Sequence, residues 1–143
     1  MINGTINHIA LTVTVLEASK KFYDRVLGFF GYRQGQVPQS TQDQMKTALL
    51  AWTGPGSSVT LRPAKSPYQN ISHQRDAAGL NHLAFALDSR EAVDSFYALL
   101  KEIGCPILDE PAEYTYAPGY YAVYFLDPSG IKLEAVYWPK QDK

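Results

Sequence analysis

The stretch Asn7-His8-Ile9-Ala10-Leu11-Thr12-Val13 decides the architecture, because it returns 74 residues later as Asn81-His82-Leu83-Ala84-Phe85-Ala86-Leu87. The Asn-His pair and the following alanine are identical, and at the same offset Phe22-Tyr23 returns as Phe96-Tyr97. Two matches at one shared spacing mark an internal repeat, which sets the architecture before any other feature is read. Each copy opens with period-two alternation, the signature of a strand. Ile9, Leu11, Val13 and Val15 share one face, with His8, Ala10, Thr12 and Thr14 opposite; Leu83, Phe85 and Leu87 oppose His82, Ala84 and Ala86. The bulky face should pack on a helix. The histidine face carries small side chains and leaves room that branched residues would fill, as the wall of a cavity does.

Helical periodicity follows both strands. Ala18, Phe22, Val26 and Leu27 form an apolar stripe ahead of Gly28, and Val93, Phe96, Leu99, Leu100 and Ile103 do so ahead of Gly104. Ser89 or Asp88 can cap the second helix, and Gly104 sits where a glycine ends one. Strand-like segments follow at Tyr32–Gln36, Lys46–Thr53 and Ser57–Arg62 in the first half. In the second they fall at Ile107–Leu108, Tyr120–Leu126 and Ile131–Tyr137. Asp127-Pro128-Ser129-Gly130 reads as the turn of a hairpin. Residues 109–119 read as a long loop. One domain, 1–143, is expected: module one over 1–66, a linker over 63–79 that overlaps its end, and module two over 80–139.

Hydrophobic residues at 45% and charged residues at 19% describe a globular chain rather than a disordered one. Thirteen Lys plus Arg against fourteen Asp plus Glu leave a net charge of -1, which argues against nucleic acid or an anionic membrane as partner. No apolar run approaches the ~20 residues needed to cross a bilayer, and the N-terminus lacks a signal-like apolar stretch, so the expected location is cytoplasmic. The single Cys105 can form neither an internal disulfide nor a thiolate metal site alone, and it reads as a small apolar residue near a helix end.

Two of the three histidines, His8 and His82, occupy the same repeat position on the small-residue faces. Glu134 lies in the last strand of the second copy between Leu133 and Ala135, which point the other way, so its carboxylate faces the cavity among apolar neighbours. Burying it without a positive partner is costly, and a metal ion is the strongest such partner. Two imidazoles and one carboxylate make a facial triad with open coordination positions, suited to catalysis rather than to a closed structural site. His73, in the polar linker, is expected to be solvent-exposed.

With these residues in hand, the chain resembles the vicinal oxygen chelate superfamily of glyoxalases, bleomycin-binding proteins, fosfomycin thiol transferases and extradiol dioxygenases. The resemblance spans Ile6 to Trp138 and rests on Asn7-His8-Ile9-Ala10-Leu11, Phe22-Tyr23 through Leu27-Gly28-Phe29, Gly79 through Phe85, and Tyr124 through Glu134. It implies an α+β fold of two βαβββ modules forming a half-open barrel, with one divalent metal (Fe, Mn, Zn or Ni) held by His8, His82 and Glu134. A fourth ligand position falls on Thr60 by the strict offset, or on Arg62 if Leu61 is set on Leu133. Neither is a good ligand, which disfavours true glyoxalase activity. Tyr124 matches a tyrosine placed beside the metal.

The resemblance therefore implies a metal-dependent enzyme on an oxygen-chelating small molecule, dioxygenase-like or of other Lewis-acid type. A fosfomycin-resistance-like thiol transferase is the alternative, with Arg62, Lys132 and Arg75 as the cations it would need. A non-catalytic drug-binding protein is another. Members are often dimers, and the modules can pair within one chain or between two. Tyr114, Tyr116, Tyr120 and Tyr121 suggest a loop able to cover a planar substrate, or simply packed rings.

Overall fold

The computed structural model describes residues 4–139. The chain divides into two compact units, Met1–Ile71 and Ser72–Lys143. The first contains β1 (His8–Val13), α1 (Leu16–Phe29), β2 (Arg33–Gly35), α2 (Gln39–Met45), β3 (Leu50–Gly54) and β4 (Ser57–Pro63). The second contains β5 (Leu83–Ala86), α3 (Arg90–Ile103), β6 (Ile107–Glu113), β7 (Tyr121–Leu126) and β8 (Lys132–Tyr137). The sheets run β1-β4-β3-β2 and β5-β8-β7-β6, so the two orders are the same. In each, the first strand lies parallel to the last and the remaining pairs are antiparallel. The repeat in the sequence is thus a repeat of βαβββ topology, with α2 added in the first copy.

The period-two pattern sorts the sheet faces as expected. Leu11, Val13 and Phe85 are buried, whereas His8, Ala10, Thr12, Ala84 and Ala86 are exposed. In unit two the buried face of β7 and β8 carries Val123, Phe125, Leu133 and Ala135. Phe96 of α3 meets Phe125 edge-on at 5.3 Å between ring centroids. Burying each large apolar side chain of this kind contributes about 1.5–3 kcal/mol. In unit one Tyr23 of α1 lies 6.4 Å from Trp52, whose indole N–H donates to Asp24 at 3.0 Å. Ser89 caps α3, its Oγ accepting from the Ala92 N–H at 3.0 Å, and Gly104 ends the helix at φ 69°, a left-handed conformation that glycine adopts at least cost.

Several expectations are corrected. No strand begins at Lys46: residues 39–45 form a short helix, Lys46 is its left-handed cap, and β3 begins at Leu50. The stretch 109–119 is not all loop, since β6 continues to Glu113 along the sheet edge with register shifts around Asp109 and Ala112. Edge strands bond on one side only, so Pro111 and the acidic residues around it are tolerated there. Helix α1 runs past Gly28 to Phe29. Ala18 is exposed and Ser19 takes its place in the buried stripe, while Val15 precedes the helix and is 57% exposed.

Candidate metal centre

Glu134 sits in the middle of β8, where its register partners are Ala84 on one side and Tyr124 on the other. Its neighbours Leu133 and Ala135 lie on the face turned to α3, so strand alternation puts the carboxylate on the opposite face with Tyr124, Ala122 and Val136. It is 1% exposed, a charged group among aromatic and aliphatic side chains.

His82 comes just before β5, one residue short of the strand that was expected to carry it. Its Nδ1 lies 2.7 Å from Oδ1 of Asn81. An amide oxygen only accepts, so Nδ1 carries the hydrogen, and in the neutral ring Nε2 is left with a lone pair. That Nε2 stands 3.1 Å from Oε2 of Glu134. The distance is within ion-pair range, yet Oε2 is buried and receives no hydrogen bond among the described residues. The atoms are close, but no donor hydrogen points along the line between them. Two ligand atoms at about 2.1 Å from one cation and at right angles to each other would stand about 3.0 Å apart. An orphaned carboxylate oxygen beside an imidazole lone pair at this spacing fits a shared metal ion.

The other carboxylate oxygen, Oε1, accepts from the Tyr120 hydroxyl. Burial first, then the hydrogen bond and charge of Glu134, push the Tyr120 phenol well above its ordinary range. Tyr124 is raised for the same reasons, burial foremost and then the Glu134 charge. Both phenols are therefore neutral donors at physiological pH. The His82 and Tyr124 rings meet edge-on with centroids 6.1 Å apart, and the Lys132 ammonium lies 4.4 Å above the Tyr124 ring. Around these groups is a cavity of about 450 Å³ whose outer wall includes Tyr116 and Trp138.

Of the residues singled out in the sequence, His82, Glu134 and Tyr124 come together in unit two, and Lys132 joins them at the cavity. His8 lies in unit one, exposed, where its Nδ1 meets Oδ1 of Asn7 at 2.9 Å, the same pairing as Asn81 and His82. Among the described residues no group of three or more His, Cys, Asp or Glu side chains is gathered to hold a metal. The ladder decides the fourth position: Ala10 pairs with Thr60 as Ala84 pairs with Glu134, so Thr60, not Arg62, is the equivalent of Glu134. Arg75 contributes a backbone carbonyl to the Asn81 side chain at 3.3 Å. His73 is not the exposed residue expected. It is half-buried, its backbone N–H donates to the Ser129 carbonyl at 2.9 Å, and its Nδ1 is buried without a hydrogen-bond partner among the described residues. Cys105 is half-buried, and burial pushes its thiol up to about 11. Tyr120, expected to open the strand Tyr120–Leu126 and to belong to a run of loop aromatics, lies just before β7; its link to Glu134 is non-local, and no spacing in the sequence marks it.

The repeated βαβββ topology and the grouping of buried Glu134 with His82 and Tyr124 define a protein of the glyoxalase-like class. The chain belongs to the Glyoxalase/Bleomycin resistance protein/Dioxygenase superfamily, whose model matches residues 5–135. Among its relatives is the uncharacterized protein YqjT of Bacillus subtilis, 32% identical over 132 residues, covering 92% of this chain and 97% of that one. A candidate glyoxalase from Bacillus halodurans has a similar structure, with a TM-score of 0.79, 33% identity and coverage of 94% and 96% of the two chains. The likeness of fold extends to the fosfomycin resistance protein FosX of Listeria monocytogenes, at a TM-score of 0.68, 19% identity and coverage of 97% and 96%. Among the described residues no helix is long and apolar enough to cross a membrane.

Proposed function

We propose that the protein is a metal-dependent enzyme acting on a small molecule that presents neighbouring oxygen atoms, with dioxygenase-like or related Lewis-acid chemistry. His82 and Glu134 are two ligands of one divalent ion (Fe, Mn, Zn or Ni), and His8 is the third. The observation that carries this reading is the 3.1 Å approach of His82 Nε2 to the orphaned Oε2 of Glu134. His8 is supported by its matched repeat position and by the same asparagine contact on Nδ1. The bound ion would supply Lewis acidity toward the substrate oxygens.

The chain's own residues have distinct parts. Asn81 holds the His82 ring in the tautomer that leaves Nε2 free, as partners behind metal-bound imidazoles commonly do. Tyr120 holds the Glu134 carboxylate through Oε1 and so leaves Oε2 to point inward. Tyr124, a neutral phenol at the cavity wall, is placed to donate to a substrate oxygen as negative charge grows on it. A cavity of about 450 Å³ that is not filled by its own side chains supports a small-molecule site, and retention of His8, His82 and Glu134 argues for an enzyme over a sequestering protein that has lost its ligands.

The test is elemental analysis of protein purified without chelator, beside a His82→Ala variant in the same buffer. Near-stoichiometric Fe, Mn, Zn or Ni that disappears in the variant is expected. Absence of metal even after reconstitution would overturn the reading.

A further inference from the structure

We propose that the molecule bound in this cavity carries an anionic group, a carboxylate or a phosphonate, on a planar body, and that Lys132 binds that group. The proposal rests on the metal reading above only in taking this cavity as the substrate site.

Among the described residues, Lys132 is the only lysine or arginine on the cavity wall. Its ammonium stands 4.4 Å over the Tyr124 ring, which orients it without using its three N–H donors. No carboxylate among the described residues pairs with it. Glu134 does not serve as its counter-ion: Oε1 accepts from Tyr120, and Oε2 faces His82. Lys132 is thus a positioned cation whose hydrogen-bonding capacity is open toward the cavity.

Its location sets a dimension. Lys132 and Glu134 are two residues apart on β8 and project from the same face, which separates their backbone origins by about 6.6 Å. The cavity wall supplies flat surfaces. Tyr116 and Trp138 are 70% and 58% exposed despite lining the cavity; Tyr116 stacks on Tyr114 at 5.4 Å between centroids, which leaves its opposite face for a ligand. Tyr120 packs between them, its ring 5.4 Å from Tyr116 and 5.7 Å from Trp138. A planar body stacked on one of these rings, edge-on to its neighbour, with a charged substituent at one end matches the cavity in shape and in charge.

Calorimetric titration of the full chain with benzoate, phenylphosphonate and benzamide tests this, on wild type, Lys132→Met and Lys132→Arg. At least one of the two anions should bind tenfold or more tightly than benzamide, and the tighter of them identifies the group. Lys132→Met should lose that preference while its benzamide affinity stays within about twofold, and Lys132→Arg should keep it. Equal or absent binding of all three probes by wild type would overturn the proposal. So would a preference that survives in Lys132→Met, since the anion would then be held elsewhere. The metal content of the same samples separates the two readings. Metal-replete protein without anion preference refutes this proposal alone, whereas protein that cannot be loaded with metal but keeps the lysine-dependent preference refutes the metal reading alone.

Discussion

Nε2 of His82 and Oε2 of Glu134 stand 3.1 Å apart, while the ring's own hydrogen is committed to Asn81 on its far side. Glu134 is buried, and a divalent ion held between it and His82, as proposed, would stabilise the folded state. At a free metal concentration a hundredfold above Kd, binding to the folded state alone should add about 2.7 kcal/mol. A melt of chelator-treated protein should therefore shift upward by several degrees on addition of the preferred ion. Glu134→Gln should abolish that shift and leave the metal-free protein as stable as wild type or more so, because a buried charge is removed while an oxygen that can accept from Tyr120 is kept. An undiminished shift in Glu134→Gln would remove this carboxylate from the site.

Asn81 acts through His82 rather than on a ligand. Losing the acceptor behind a metal-bound imidazole typically weakens metal binding about 10–100-fold. Asn81→Ala should show a loss of that size in a competition titration against a chelator, and Asn81→Asp, which keeps an accepting oxygen, should recover most of it. Equal losses in the Ala and Asp variants would mean that ring orientation is set by packing instead.

The parts legible in the sequence are those with a local period. His8 and His82 were visible as repeat partners, and Glu134 as the odd polar residue between Leu133 and Ala135, because strand alternation fixes which way each side chain points. The short helix at 39–45 was not visible: it buries none of its residues, so it leaves no apolar stripe to read. Most of β6 was hidden for a related reason, since an edge strand with acidic residues and Pro111 carries little hydrophobic pattern. Tyr120 could not be assigned because it reaches Glu134 from beyond the end of β7, a contact set by the course of the 114–120 loop.

Ser89 caps the start of α3. Its Oγ satisfies the Ala92 N–H, one of the donors a helix start leaves unpaired. Ser89→Ala should cost about 1 kcal/mol and Ser89→Asp should cost little, read as urea midpoints. The metal content of both should stay at the wild-type level, because the cap lies outside the cavity wall. Metal loss with an unchanged midpoint would show that α3 positions the site more directly than this.

The raised phenols of Tyr120 and Tyr124 make alkaline stability a report on the site. Each has a folded pKa above the unfolded value of 10.0, so above about pH 10 the unfolded chain releases protons that the folded chain still holds. The stability slope is set by protons bound in the unfolded state minus those bound in the folded state, and it turns negative there. The stabilisation from these groups is fully present below pH 10 and is lost as pH rises from there through the folded values. Urea midpoints should thus fall more steeply above pH 10 in wild type than in Tyr120→Phe. At pH 7 the variant should already be destabilised by about 1–3 kcal/mol, because Oε1 of a buried carboxylate loses its donor. Parallel alkaline slopes in the two proteins would mean that the Tyr120 phenol ionises as freely in the folded chain as in water. The neutral-donor role given to it would then fail.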